Sequence, residues 1–335
     1  MSAFEAEVLG SAQAGDRAAF DALVAPFRRE LKAHCYRMSG SVHDAEDLLQ
    51  DTLLRAWRAL SKFEGRSSLR TWLYRVATSA CLDAADKKKA RTLPMSLGPA
   101  ATTHEGMQPD PEIGWLEPLP AGMVPELPVN PEVRFSARES VSLAFLAALQ
   151  RLPPKQRAVL LLRDVLGWPA TECAELLETS VPSVNSALQR ARDTMATASA
   201  VPPPAPAESD TAVRSLLARY VRAWEEADVP GLVALLHEDA VLSMPPMSGW
   251  FQGPRSIGDA IGAMVLPKEA RGVFRLVPIE ANGESGFAMY AKDAAGVYRA
   301  QAIHVVRIAG AKVAEVTAFI DATLFPAFGL GDTLA

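Results

Sequence analysis

The side chains with most to offer chemically fall into three groups. In VPSVNSALQRAR, residues 181–192, Val184, Leu188 and Ala191 recur at helical spacing with Met195, leaving Ser183, Asn185, Ser186, Gln189, Arg190 and Arg192 on the opposite face. This outer face is polar and basic, with two side-chain amides among its donors and acceptors. In the C-terminal third, acid–base chemistry would fall to His237, Asp239, Tyr290, His304 or Asp321. His237 and Asp239 stand just before a predicted strand, as in a surface turn. Tyr290, His304 and Asp321 fall on strands, where a histidine is more often a hydrogen-bonded structural residue than a base. No catalytic residue is assigned. Cys35, Cys81 and Cys173 lie far apart with no CxxC, and His34 beside Cys35 points away from it on a helix. They are read as structural thiols, with no metal and no cofactor expected.

The elements that must position these groups follow from periodicity. Phe20, Leu23, Phe27, Leu31 and Met38 recur at helical spacing, and Leu49, Leu53, Ala56/Trp57 and Leu60 form a second series with Asp44 as its expected N-cap. A third helix is predicted from Ser68 to about Lys88. Further on, helices are predicted over 141–152, 155–165, 169–177 and 182–195. The last two, joined by LETS with the second opening at Pro182, make a helix-turn-helix pattern. Beyond residue 210 the pattern changes to helices near 213–227, at 231 and near 256–264, a strand at 240–244, and strands at 273–281, 286–292, 297–307 and 313–321. Asn282-Gly283 marks a tight hairpin and AGAK another turn.

Prolines punctuate this order at 94, 99, 109, 111, 118, 120, 125, 128 and 131, and again in VPPPAPAES at 201–209. Both stretches are read as extended spacers. The resulting domains are 1–90, linker 91–134, 135–198, linker 199–209, and 210–335. Net charge is −5 over the 335 residues, distributed as +2 for 1–90, −4 for 91–130, +1 for 131–200 and −4 for 201–335. DNA contact therefore belongs to the first and third segments, with help from a partner, because unassisted affinity needs many cationic contacts to phosphate. No run of eighteen apolar residues exists and the acidic start is unlike a secretion signal, so a cytoplasmic protein with no membrane association is expected.

DAEDLLQDTLLRAWRAL at 44–60, FEGRSSLRTWLYRVATSACLD at 63–83 and LQRLPPKQRAVLLLRDVLGWPATECAELLETSVPSVNSALQRAR at 149–192 resemble regions two and four of the extracytoplasmic-function sigma factors, within the sigma-70 family. The resemblance implies core RNA polymerase and promoter DNA as partners, and transcription initiation as the function. It implies polymerase contacts at Asp47, Gln50, Asp51, Arg55 and Trp57. Capture of unpaired bases of the −10 element falls to Phe63, Gly65, Arg66, Ser67, Ser68, Leu69 and Ser79, with Trp72 in the core. Ser79 replaces an asparagine frequent in the family, and the Lys87-Lys88-Lys89 run is a candidate for phosphate. Asn185, Ser186, Gln189 and Arg190 would read the −35 element, with Arg192 near phosphate.

RYVRAWEEADVPGLVALLHEDAVLSMPP and GWFQGPRSIGDAI resemble the SnoaL-like branch of the cystatin-like cone fold shared with nuclear-transport-factor-two-like proteins and ketosteroid isomerases. IGWLEPLP, residues 113–120, resembles a Trp-Leu-Glu/Pro signature of sigma factors that carry this extension. The implied architecture is multidomain: an all-α region 2 bundle, an all-α helix-turn-helix region 4 and an α+β cone. Where the isomerases keep their base, this chain has Leu242-Ser243-Met244-Pro245-Pro246, with no carboxylate. The cone is therefore expected to regulate in cis. Two readings of its interior stay open: a solid core, or a small-molecule pocket lined by Trp224, Met244, Trp250, Phe251, Tyr290, His304 and Phe319. A separate anti-sigma protein is a further candidate partner, and the alternative function is a SnoaL-like isomerase, cyclase or hydrolase fused to DNA-binding helices.

Overall fold

The structure is a computed structural model that describes residues 3–104, 107–123, 140–198 and 210–334. The prolines at 125, 128 and 131 and the second spacer, 199–209, lie outside the described residues. The chain divides into two compact units, one of Met1–Ala90 with Gly122–Ser199 and the other of Arg91–Ala121 with Ala200–Ala335.

The first unit is helical. Helices α1 (Ala3–Gln13), α2 (Arg17–Val24), α3 (Arg28–Ser39), α4 (Val42–Ala59) and α5 (Leu69–Ala85) come from the N-terminal segment. Gly40 takes a left-handed conformation that ends α3, so Ser41, and not Asp44, caps α4; its Oγ accepts the Asp44 N–H at 3.0 Å. Asp44 instead pairs with Lys88 at 2.6 Å, which takes one lysine of the run away from phosphate duty. The segment between residues 140 and 198 supplies α6 (Leu143–Gln150), α7 (Pro154–Leu160) running into a π-turn at Leu161–Val165, α8 (Ala170–Leu176) and α9 (Val181–Ala198). The three cysteines are buried in this unit. Cys35 and Cys81, 46 positions apart in the chain, are hydrogen-bonded to each other, and burial with this contact holds the Cys81 thiol well above its ordinary pKa. Cys81 is thus a poor nucleophile.

The second unit holds α10 (Asp210–Glu225), α11 (Val229–Val233) and α12 (Pro254–Met264) against a seven-stranded sheet. Its strands are β1 (Leu236–Ser243), β2 (Trp250–Gln252), β3 (Phe274–Ala281), β4 (Glu284–Lys292), β5 (Tyr298–Ala309), β6 (Lys312–Phe319) and β7 (Thr333–Leu334), ordered β2-β1-β6-β5-β4-β3 with β7 on β5. Asn282 and Gly283, both at positive φ, close the β3–β4 hairpin as expected. His237 and Asp239 lie within β1 rather than before it, beside a register shift between Leu236 and Val241 that leaves Asp239 in solvent.

The segment 91–121 is not a free spacer. Leu119 and Asn282 exchange two 2.8 Å bonds, Ala101 N–H donates to Trp250 O at 2.7 Å, Asp110 N–H to Pro246 O at 3.2 Å, and the Trp250 indole to Gly98 O at 2.9 Å. Within the segment, Thr92 forms a parallel β-bridge with Trp115, donating to Gly114 O at 2.9 Å and accepting Leu116 N–H at 3.0 Å, and Arg91 bridges to Glu117 at 3.2 Å. Prolines remove donors, but the residues between them supply enough N–H groups to dock an extended chain.

Each unit encloses one neutral histidine. His34 Nε2 bonds Thr78 Oγ1 at 2.9 Å and His304 Nδ1 bonds Tyr220 OH at 3.1 Å; burial lowers their pKa values to about 3 and about 4 from 6.5. The unfolded chain therefore binds more protons than the folded one below pH 6.5. Stability is complete above that value and falls as the pH drops toward the folded pKa values, by about 2 kcal/mol per histidine at pH 5. Urea unfolding at pH 7 and pH 5 measures this loss, and it shrinks by half in His304→Gln if the account holds.

Candidate nucleic-acid and polymerase interface

The face predicted on α9 is built by its opposite side. Val184, Leu188 and Ala191 are buried, and Asn185, Ser186, Gln189, Arg190 and Arg192 are exposed. Glu178, at positive φ, turns the chain between α8 and α9, and Ser180 Oγ accepts Ser183 N–H at 3.3 Å to start the second helix. Gln189 Nε2 donates to Asp193 at 2.9 Å. Arg192 is held by both oxygens of Asp164, at 2.9 and 2.7 Å, on the π-turn. Arg190 is thereby the cation best placed beside the two amides, while Arg192 must leave Asp164 to meet phosphate.

The residues expected at the −10 element lie on the loop before α5 and along that helix. Gln13 Nε2 donates to the carbonyls of Leu60 and Phe63 at 3.1 and 2.8 Å, fixing where the loop begins. Gly65 takes positive φ, Arg66 pairs with Glu64 at 2.5 Å, and Ser67 and Leu69 are half-buried. Ser68 serves first as the α5 N-cap, accepting Thr71 N–H at 3.0 Å. Phe63 lies 5.1 Å from Trp72, ring centre to ring centre. Trp72 is half-exposed rather than core, so the pair presents an aromatic shelf of the kind on which unpaired bases stack. Ser79 is exposed two turns along α5 from Trp72.

The five polymerase candidates on α4 do not behave alike. Asp47 and Gln50 are exposed; Arg55 is tied to Asp51 at 2.9 Å and to Asp83 at 2.5 Å. Trp57 packs inward, edge-on to Phe20 at 5.1 Å, with the Arg17 guanidinium 5.5 Å from its ring. Leu54, 43% exposed, stands on the face with Asp47 and Gln50 and escaped the sequence reading. Its signal was the leucine pair at 53 and 54, of which only one can join the buried stripe.

The cone residues divide by sheet face. Register places Phe287, His304 and Ala318 in one row and Ala288, Ile303 and Phe319 in the next. Trp224, Met244 and Phe251 join the interior row, with Trp224 5.1 Å from His304 ring to ring. Tyr290 instead packs on Phe325 at 5.1 Å, on the other face with Phe319. Trp250 is half-exposed under Gly98. The predicted lining therefore does not converge on one cavity. Two surface clefts, of about 480 and 360 Å³, adjoin residues 102–111 of the docked segment, and of the predicted set only Phe251 reaches either. Among the described residues no cluster of His, Cys, Asp or Glu could hold a metal, and no helix is long and apolar enough to cross a membrane.

A helix-turn-helix whose outer face carries amides and arginines, a second helical patch with an aromatic shelf, and an appended α+β cone define a DNA-reading transcription factor with an accessory domain. Models for Sigma-70 region 2, Sigma-70 region 4 and the SnoaL-like domain match residues 23–91, 142–195 and 217–316. The chain is 48% identical over 323 residues to the ECF RNA polymerase sigma factor SigG of Mycobacterium tuberculosis, covering 95% of this chain and 85% of that one. It is 30% identical over 217 residues to SigJ of the same organism, covering 64% and 62%. The crystal structure of Mycobacterium tuberculosis SigJ shares the fold, with a TM-score of 0.59 at 22% identity over 92% of this chain and all of that one. The chain belongs to the ECF RNA polymerase sigma factors.

Proposed function

We propose that this sigma factor directs core RNA polymerase to a restricted set of promoters, and that its C-terminal domain sets in cis how readily it does so. The observation that carries the first half is the α9 face: Asn185, Ser186, Gln189 and Arg190 project from a helix locked by Val184, Leu188 and Ala191. Asparagine and glutamine select adenine, so the −35 element would include an A-containing step. The loop at 63–69 with Trp72 and Ser79 would hold the unpaired −10 bases, and Asp47, Gln50 and Leu54 would meet polymerase.

Regulation rests on residues 91–121. This stretch joins the two helical regions in sequence, yet outside itself it hydrogen-bonds to the C-terminal domain at Gly98, Ala101, Asp110 and Leu119. Whatever loosens or tightens that docking changes the length of connector available between regions 2 and 4. A non-catalytic role fits the interior of the cone, where the titratable pair Tyr220 and His304 satisfy each other. Deleting residues 207–335 removes the docking surface and is expected to change run-off yield with purified core polymerase. Identical yields from full-length and truncated protein at every promoter contradict cis regulation.

A further inference from the structure

The loop assigned to −10 DNA is held at its entry by a residue that precedes the segment matched by the Sigma-70 region 2 model, 23–91. Helix α1 buries Leu9 and Ala12, and the same face carries Gln13, half-buried, to the end of α4. There a 3-10 turn at Leu60–Lys62 leads into Phe63. Gln13 Nε2 donates to Leu60 O at 3.1 Å and to Phe63 O at 2.8 Å, across 47 and 50 positions of chain. Leu60 O also accepts the Phe63 N–H at 3.0 Å. Phe63 is therefore held at both its amide and its carbonyl, and its ring lies 5.1 Å from that of Trp72.

The loop that follows has little to fix it from within. Glu64, Gly65, Arg66 and Ser68 are exposed, and Gly65 stands at positive φ. Holding such residues in one conformation costs entropy, so the bonds that fix the loop's entry lower what base capture must still supply. The residue that makes those bonds is itself anchored. Gly15 at positive φ turns the chain after α1, Asp16 Oδ1 accepts the Ala18 and Ala19 N–H groups at 2.8 and 3.2 Å to start α2, and Phe20 of α2 packs on Trp57 of α4. The N-terminal helical pair thus holds both the last turn of α4 and the first residue of the loop.

We infer that Gln13 is a positioning residue for −10 recognition: its side-chain amide sets the Phe63 backbone so that the Phe63–Trp72 shelf is aligned before an unpaired base arrives. The inference rests on the −10 reading of residues 63–69. A primary amide suits the task because one nitrogen carries two donors, which here meet two carbonyls of a single turn. The role requires donors and not only side-chain volume.

The test uses the complex of the full-length chain with core polymerase. Its affinity for a single-stranded oligonucleotide carrying the −10 sequence shared by its start sites is compared with that for a scrambled one. Gln13→Met keeps the length and the apolar stem but has no donor. It is expected to lower the ratio of the two affinities about tenfold, as for the loss of two hydrogen bonds of ordinary net strength, with binding to core polymerase and to −35 duplex unchanged. Gln13→Lys restores donors and should recover most of the ratio, although its charge raises the affinity for both oligonucleotides alike. A role confined to holding α1 in place would lower the melting temperature of Gln13→Met and leave the ratio at the parent value. That result overturns the inference, as does a lost ratio that Gln13→Lys fails to recover. A parent complex with no preference between the two oligonucleotides contradicts the −10 reading itself, and the inference falls with it.

Discussion

Replacing Asn185 and Gln189 together by alanine is expected to abolish promoter-directed initiation while leaving the protein folded and able to bind polymerase. Both side chains project from the exposed face of α9, and neither belongs to the buried stripe of Val184, Leu188 and Ala191. Gln189 gives up only an exposed bond to Asp193. Each bidentate amide–adenine pair contributes about 1–3 kcal/mol of discrimination, so losing two lowers occupancy of the cognate site about a hundredfold or more. The double variant should therefore co-elute with core polymerase and melt as the parent does, yet yield almost no transcript from a promoter with an intact −35 element. Full activity would place −35 recognition elsewhere.

A second large effect is expected at Arg157. Its substitution by alanine leaves the carbonyls of Met38, Leu149, Gln150 and Leu152 without their shared donor in a region where the side chain is 5% exposed. Each buried acceptor left unmet costs about 1–3 kcal/mol, less where water enters, so a total loss of about 3 kcal/mol or more is expected in urea unfolding followed by helix signal. Arg157→Lys should recover little, because one ammonium cannot reach four carbonyls spread over two helices. Burial lowers the Arg157 pKa only to about 10, so the group stays charged at neutral pH and the comparison is between two cations. A variant within a few tenths of a kcal/mol of the parent would show that the network is incidental.

Much of this was legible in the residues. Helical spacing of Val184, Leu188 and Ala191 was sufficient to orient α9, and the helix start expected at Ser68 and the turn expected at Asn282-Gly283 matched two observed boundaries. The α4 cap was misplaced because Ser41 and Asp44 both cap well; the deciding fact, Gly40 ending α3 in a left-handed turn, depends on where the preceding helix stops. The docked segment 91–121 was hidden by its composition. Proline content reports which donors are missing, whereas docking depends on where the remaining N–H groups of Ala101, Asp110 and Leu119 find acceptors.

The interior of the cone was left undecided for a different reason. Strands β4, β5 and β6 carry long runs of buried residues on both faces, so alternation separates Phe319 from His304 without saying which side the helices cover. Trp57 and Trp72 show the same limit on helices: Trp57, placed both in the apolar series and among the polymerase contacts, packs on Phe20 yet stays half-buried, and Trp72, expected inward, is half-exposed. An aromatic at the border of an apolar stripe can take either side, and the neighbouring helix decides.

The most direct test of the central claim is in vitro transcription of genomic fragments from the source organism by core RNA polymerase, with 5′ ends mapped in the presence and absence of this protein. The account predicts a small set of discrete start sites that appear only when the protein is added, share a −35 element with an A-containing step, and disappear with the Asn185→Ala/Gln189→Ala double variant. Start sites indistinguishable from those of core polymerase alone would contradict it.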